Sequence, residues 1–438
     1  MAGQMRGRTL GELADSRWSG QISSAANKGG AGNIVERYFG IQSNNEQAPD
    51  FVGAGIELKV SPLVMDGRTA RRIKERTSVT MIDYELLDRE SWATASLRKK
   101  LQRILFVFYE WRPDVPLRDL RVRAVKLWSP PAELLPYLKH DWVAVWTKNR
   151  AGRAHELSEA DGLILGAATK GATGAMKPQP HSPEPAKSRA WSLKPRLTWT
   201  IYATTQGEDL DRDLLARLSE EAGLDPIAPL LAQVEGFVGL TVQQVAERSG
   251  ISPDKSKNRA VTVVRRAIGL YPIKLPPELE ALGVEVKTIP LGPNAEPYEA
   301  MSFPAFDHRE MADEEWEDSE LLSRVQNMLL IPLYRETRGV ELLEQRVCKP
   351  FQWSPDREQL TGIRLEWERY RDLVAQGRAD ELHGESDTRF IHVRTHGRDG
   401  DDQVEAPGGL VVAKKSFWLN REFVRELVLS HNTDWQGF

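Results

Sequence analysis

The sequence predicts an α/β protein of two tandem domains, each a mixed central sheet flanked by helices. Two observations carry this. The run Gly55-Ile56-Glu57-Leu58-Lys59-Val60-Ser61-Pro62-Leu63 returns as Gly283-Val284-Glu285-Val286-Lys287-Thr288-Ile289-Pro290-Leu291. A period of about 228 residues means two copies of a domain rather than a solenoid of short repeats. Along the rest of the chain, period-two runs alternate with runs of helical spacing, the pattern of sheets packed against helices.

The elements follow in order. Residues 10–40 read as helical, and Gly32 to Gly40 has apolar positions at helical spacing with a glycine stop. Residues 41–50 are loop, and 54–61 form a strand that Pro62 ends. Ser78 to Asp83 alternates as a second strand. Ser96 to Gln102 starts a basic helix that runs into the apolar Ile104 to Tyr109, and Arg121 to Trp128 alternates again. Pro136 to Thr147 and Glu156 to Leu165 read as helices, Pro136 being acceptable at a first helical position. Ala167 to Ser188, small, polar and Pro-rich, reads as a long flexible loop, and Trp191 to Ala203 as a strand-like aromatic run. Residues 204–230 are acidic, then helical. Helices follow from Gly239 to Ala246 and from Val261 to Ile268, the latter stopping at Gly269. The acidic run Glu310 to Asp318 reads as a solvated loop. The expected domains are 1–204, a connector 205–235, and 236–438.

Charge divides the chain unevenly. The net charge is −4, yet residues 1–200 hold 31 Lys and Arg against 21 Asp and Glu. The remainder is correspondingly acidic, so a polyanionic partner is expected on the first half. Cys348 is the one cysteine, which excludes an internal disulfide and a Cys-rich zinc site, and a reducing cytoplasm is expected. No apolar run is long enough to span a bilayer, so no membrane partner is expected. His140, His155 and His181 show no metal-ligand spacing. Gly29-Gly30-x-Gly32 lacks the Lys-Ser/Thr pair of a phosphate loop.

The chemistry concentrates at Asp50 to Lys59. On a strand, Glu57 and Lys59 project to one face, about 7 Å apart. Asp50 precedes a turn at Gly53 and Gly55 that can fold it back toward that face. Two carboxylates and an ammonium converging on one point can hold a hard divalent cation and activate a water. An isolated Glu-x-Lys is usually a surface ion pair; the flanks and the second copy favour function here. The copies differ where chemistry matters. Seven positions before the glutamate, Asp50 becomes Glu278. Four before the helix-ending glycine, Glu36 becomes Arg265. Lys100 aligns with Arg324. One competent site and one degraded site are expected.

The run Asn27 to Glu36, the spacing Asp50…Glu57-x-Lys59 and the basic helix Lys100-Leu101-Gln102-Arg103 resemble the MutH-type endonucleases. So do Leu282 to Leu291, Arg346 to Pro355 and Ser416 to Phe423. The doubled arrangement is similar to the two-domain, GATC-cutting type II restriction endonucleases of the staphylococcal type more than to the single-domain mismatch-repair nickases. The resemblance implies a PD-(D/E)xK fold in each domain, a catalytic first domain and a degenerate effector or DNA-binding second one. It implies Mg²⁺ and double-stranded DNA, with Asp50, Glu57, Lys59, Glu36 and Lys100 catalytic and Asp50, Glu57 and Glu36 holding the metal. Candidate DNA contacts are Lys170, Lys194, Arg98, Lys99 and Arg103, and Arg394 and Arg398 in the second copy. A second DNA site on the second domain and a dimer on DNA stay open. The rival readings are a MutH-like strand nickase and a catalytically silent DNA-binding regulator. The doubled domain counts against the first, and the intact Asp50, Glu57 and Lys59 against the second.

Overall fold

The computed structural model describes residues 2–16, 30–41, 48–113, 115–170, 175–221, 223–270, 275–396 and 402–432. It divides into two compact units, Met1–Leu224 with Glu280–Gly283, and Asp225–Leu279 with Val284–Phe438. The segment 205–235 is shared between them: the helix Arg212–Glu221 lies in the first and Ala228–Glu235 in the second.

The first unit is built on a four-stranded sheet in the order Thr69–Ile73, Glu57–Asp66, Ile104–Trp111, Val122–Trp128. The middle pair is parallel and both outer pairings are antiparallel, so the sheet is mixed. Ile104–Trp111 is covered on both faces, and its Phe106, Val107 and Phe108 are fully buried, which is why it reads as an unbroken apolar run. The helix Gly30–Phe39 buries Ala31, Ile34, Val35 and Tyr38 at helical spacing and ends at Gly40, whose φ of 76° is the left-handed stop.

Pro62 does not end its strand, as the sequence suggested. In a strand the N–H and C=O of one residue point to the same side. The Pro62 carbonyl accepts from the Lys74 N–H, on the side of the Thr69–Ile73 strand, where pairing only begins at Leu63. The missing donor therefore costs the parallel ladder nothing.

A second, three-stranded antiparallel sheet runs Thr77–Met81, Arg189–Leu193, Leu165–Thr169, beside a hairpin of Met176–Gln179 with Ser182–Lys187. The expected loop over 167–188 is thus mostly strand. Pro178, Pro183 and Pro185 lie on a two-stranded ribbon, whose outer edges need no donors. The expected helix over 156–165 is a short 3-10 turn, Glu159–Asp161, leading into a strand. The expected strand over 191–203 turns at Lys194 into the helix Pro195–Ala203, with Pro195 at a first helical position. Gly166 faces Glu159 so closely that a Cβ there would come within 2.8 Å of the Glu159 Cδ. Glu159 is buried against Ser192 and Arg76 and has nowhere to retreat. Gly166→Ala is expected to cost about 1–3 kcal/mol of stability, measured by denaturant unfolding.

The second unit repeats this order. Glu285–Leu291 lies parallel to Met328–Tyr334, which also pairs antiparallel with Arg346–Val347 and Phe351–Trp353. A three-stranded sheet joins Met301–Phe306, Lys415–Leu419 and Ile391–Thr395, and Gln403–Glu405 pairs with Val411–Ala413. The parallel registers coincide: Glu57 faces Ile104 and Glu285 faces Met328, and their N–H groups donate to Arg103 and Asn327 respectively, each at 2.9 Å. Toward the end of each copy Lys194 and Asn420 both cap the helix after their strand, so Trp191 corresponds to Phe417. The acidic run 310–318 is not a solvated loop. It spans the end of the helix His308–Ala312 and the turn Trp316–Asp318, and buries Glu310 and Trp316.

Among the described residues, no helix is long and apolar enough to cross a membrane. Cys348 is buried, and burial pushes its thiol up to about 12.

Candidate active site

The turn Val52–Ala54 folds Asp50 back onto the start of the Glu57–Asp66 strand. Gly55, at φ 60°, closes it, and an antiparallel bridge joins Phe51 to Ile56. Phe51 packs edge-on against Phe39, 5.3 Å between ring centres, which ties the turn to the helix Gly30–Phe39. The Asp50 carboxylate accepts through Oδ2 from the Leu58 N–H at 2.8 Å, between the two candidate residues of the strand, Glu57 and Lys59. Arg103, exposed, donates to the Ala54 carbonyl at 3.4 Å.

Glu57 is 2 % exposed. Lys59 Nζ lies 2.7 Å from its Oε1. Lys100 Nζ lies 3.3 Å from both carboxylate oxygens. Lys100 gets there because the short helix Ser96–Leu101 buries Leu97, Lys100 and Leu101 on one face, so the ammonium travels with the apolar side. Both cations hold one buried carboxylate, a placement that is costly unless paired. The face continues to Ser61, whose hydroxyl is 3.1 Å from that of Thr77, which in turn is 3.3 Å from that of Thr198. This buried hydroxyl chain ties the strand to the second sheet and to the following helix. Sequence reasoning missed it, although Ser61 continues the Glu57-x-Lys59 alternation.

The donor set suits a hard cation. Glu57 Oε2 is buried and accepts no hydrogen bond among the described residues, its nearest cation being Lys100 at 3.3 Å, and Mg²⁺ prefers oxygen ligands. Among the described residues, no three His, Cys, Asp or Glu side chains gather as a ready cluster. Glu36 is half-buried on its helix and is not drawn together with Asp50 and Glu57.

The candidate DNA contacts scatter. Lys99 and Lys170 are exposed, and Arg98 is half-buried over the Trp92 ring. Lys194 is placed differently from the expectation. It is 8 % exposed and donates to the Gly162 carbonyl, and burial pulls its ammonium below the usual lysine range despite nearby Glu159, Asp141 and Asp161. A cation so enclosed is not part of the surface a phosphate meets. In the second unit Arg394 is held by Glu385 at 2.5 Å and lies over Trp418, and Arg398 is outside the described residues.

The counterpart site keeps the frame and changes the charges. Arg324 Nη1 lies 3.1 Å from Glu285 Oε2, as Lys100 lies by Glu57. Lys287 Nζ donates to the Ser302 carbonyl at 2.9 Å and lies 3.8 Å from Glu285. Glu36 and Arg265 occupy the same helical position. The Ile41 N–H donates to the Glu36 carbonyl at 2.9 Å and the Leu270 N–H to the Arg265 carbonyl at 2.8 Å, each across a left-handed glycine. Arg265 then reaches the strand, donating to the Val286 carbonyl at 3.2 Å.

The sequence profile of the family described as "DNA mismatch repair enzyme MutH" matches residues 39–141 and 274–366, one stretch in each copy. The type II restriction enzyme Sau3AI of Staphylococcus aureus is 25 % identical over 460 residues, covering 94 % of both chains. The DNA mismatch repair protein MutH of Shewanella woodyi is 30 % identical over 213 residues, 47 % of this chain and 90 % of its own. That of Yersinia pestis is 31 % identical over 162 residues, 37 % of this chain and 69 % of its own. The chain is thus a deoxyribonuclease homologue with a duplicated domain, and it belongs to the MutH family.

Proposed function

We propose that the chain is a Mg²⁺-dependent, sequence-specific DNA endonuclease, a type II restriction enzyme cutting both strands at or near GATC, with the first unit catalytic. The observation that carries this is the buried Glu57 carboxylate held by Lys59 and Lys100, with Asp50 folded onto the same strand. Asp50 and Glu57 would hold the cation, and Glu36, which stands apart from them on the helix Gly30–Phe39, would join as a further carboxylate only by moving toward the bound ion. When bound it supplies Lewis-acid polarisation of the phosphate and lowers the pKa of an attacking water. Lys59 places its ammonium where negative charge develops on phosphorus. Lys100 fixes the Glu57 rotamer. Lys99, Arg98, Arg103 and Lys170 are the cations of this unit assigned to phosphate contact, which orients DNA without reading its sequence. The match to a restriction enzyme along 94 % of both chains supports double-strand cutting over nicking. A gel of GATC plasmid with Mg²⁺ separates linear product from nicked circle, and nicked circle alone would reject this reading.

The second unit is proposed as the effector. Adding a second GATC duplex in trans is expected to accelerate cleavage of a single-site substrate several-fold. A rate independent of added duplex, measured by quenched-flow or gel time course, removes that role.

A further inference from the structure

The two counterpart sites share a frame and differ in charge. In the first unit Glu36, Asp50 and Glu57 against Lys59 and Lys100 leave one net negative charge. In the second, Glu278 and Glu285 against Arg265, Lys287 and Arg324 leave one net positive charge. The difference is two elementary charges, the charge of one divalent cation. Four of the five counterpart positions keep their sign. The whole swing comes from one position, Glu36 against Arg265, at the same place on the same capped helix.

The geometry accounts for what the change does. Glu285 is 8 % exposed and already satisfied by Arg324 at 3.1 Å, itself anchored to Glu320 at 2.9 Å. Arg265 enters over the strand at Val286, the neighbour of Glu285. Glu278 lies buried on the helix Pro277–Ala281, just ahead of the strand. A divalent cation arriving here would meet a site that is already net positive and whose carboxylate is taken by guanidinium. An incoming anion meets the field that the first site acquires only after it has taken up metal. Arginine suits this exchange because it stays charged when half-buried and offers five donors, more than one partner can use.

We propose that the second unit's counterpart site is a metal-independent phosphate-binding site, in which Arg265 supplies the charge that a bound divalent cation supplies in the first. This rests on the first unit being the metal site, and the test keeps the two apart. Titrating the full chain with Mn²⁺ alone, by calorimetry or electron paramagnetic resonance, should count one class of site, which Glu57→Ala removes. Binding of a fluorescent GATC duplex in EDTA, read by anisotropy on the Glu57→Ala chain, should persist. It should weaken roughly tenfold or more with Arg265→Glu and by a smaller factor with Arg265→Gln, which keeps a donor without the charge. Far-ultraviolet circular dichroism checks that each variant folds. Saturable Mn²⁺ binding that survives Glu57→Ala and is lost with Glu285→Ala would overturn the proposal. So would duplex affinity in EDTA unchanged by either Arg265 substitution in folded protein. Failure of the first-unit reading shows separately, as cleavage that persists in Glu57→Ala.

Discussion

Lys59→Met and Glu57→Gln are each expected to reduce cleavage of a GATC duplex by at least roughly 10²–10³-fold, while duplex affinity in Ca²⁺ changes by less than about threefold. Lys59 Nζ stands 2.7 Å from Glu57 Oε1 and is partly open to solvent, so it can meet a phosphate without leaving the carboxylate. The cations proposed for phosphate contact elsewhere on the unit would orient the DNA, so affinity and chemistry are expected to separate. The choice of Gln matters. Lys100 is 7 % exposed and has Glu57 as its ionic partner. Glu57→Ala strands that ammonium, and breaking a buried pair costs about 3–5 kcal/mol, whereas Gln keeps the volume and an acceptor oxygen. Single-turnover cleavage and anisotropy on the same preparation check the split. Full activity in either variant removes the site from this strand.

The second unit is expected to lose stability in mild acid through His308. Its side chain is fully buried, its ring tilted against that of Phe306 at 5.0 Å between centres, and neither ring nitrogen has a hydrogen-bond partner among the described residues. Burial, with Lys415 nearby, lowers its pKa to about 4, against the opposing pull of Asp307. The unfolded chain binds that proton near the ordinary value of about 6.5. The folded state therefore holds fewer protons across the window from 6.5 down to about 4. The stabilisation is fully present above the window and is lost as pH falls through it. At pH 5 the loss is about 2 kcal/mol relative to pH 7. Denaturant unfolding at the two pH values measures it, and His308→Leu should remove most of the difference. His392, also lowered by burial and bonded to Asn420, contributes in the same direction and accounts for a remainder. An undiminished pH difference in His308→Leu contradicts the assignment.

Much of this site was legible because it is local. Ile56 and Leu58 alternating with Glu57 and Lys59 specify a strand with both functional groups on one face, and the glycines at 53 and 55 specify the turn that returns Asp50. The second copy made the frame legible as well. Gly40 and Gly269 stop equivalent helices in the same left-handed conformation, and the alignment of Lys100 with Arg324 reappears as two equivalent ion pairs. What stayed hidden depends on partners distant in sequence. Pro62 continues its strand because its missing donor falls where the neighbouring strand is just beginning. Residues 176–187 form a hairpin despite their prolines because a two-stranded ribbon leaves outer positions unpaired. Lys194 read as a DNA-contacting cation, but its backbone caps a helix and its side chain turns inward to Gly162. Acids at 310–318 read as solvent-facing until the long helix Arg357–Ala375 supplies Trp367 to pack on Trp316. In each case a sheet edge or a packing neighbour outside the local pattern decides the outcome.

Metal-dependent double-strand cleavage at Glu57 is tested by digestion of a supercoiled plasmid carrying one unmethylated GATC, by wild-type protein in Mg²⁺ and in EDTA, beside Glu57→Gln. Linear plasmid is expected with wild type in Mg²⁺, and intact supercoiled plasmid in EDTA and with Glu57→Gln. Linear product from Glu57→Gln, or no cleavage by wild type in Mg²⁺, would contradict it.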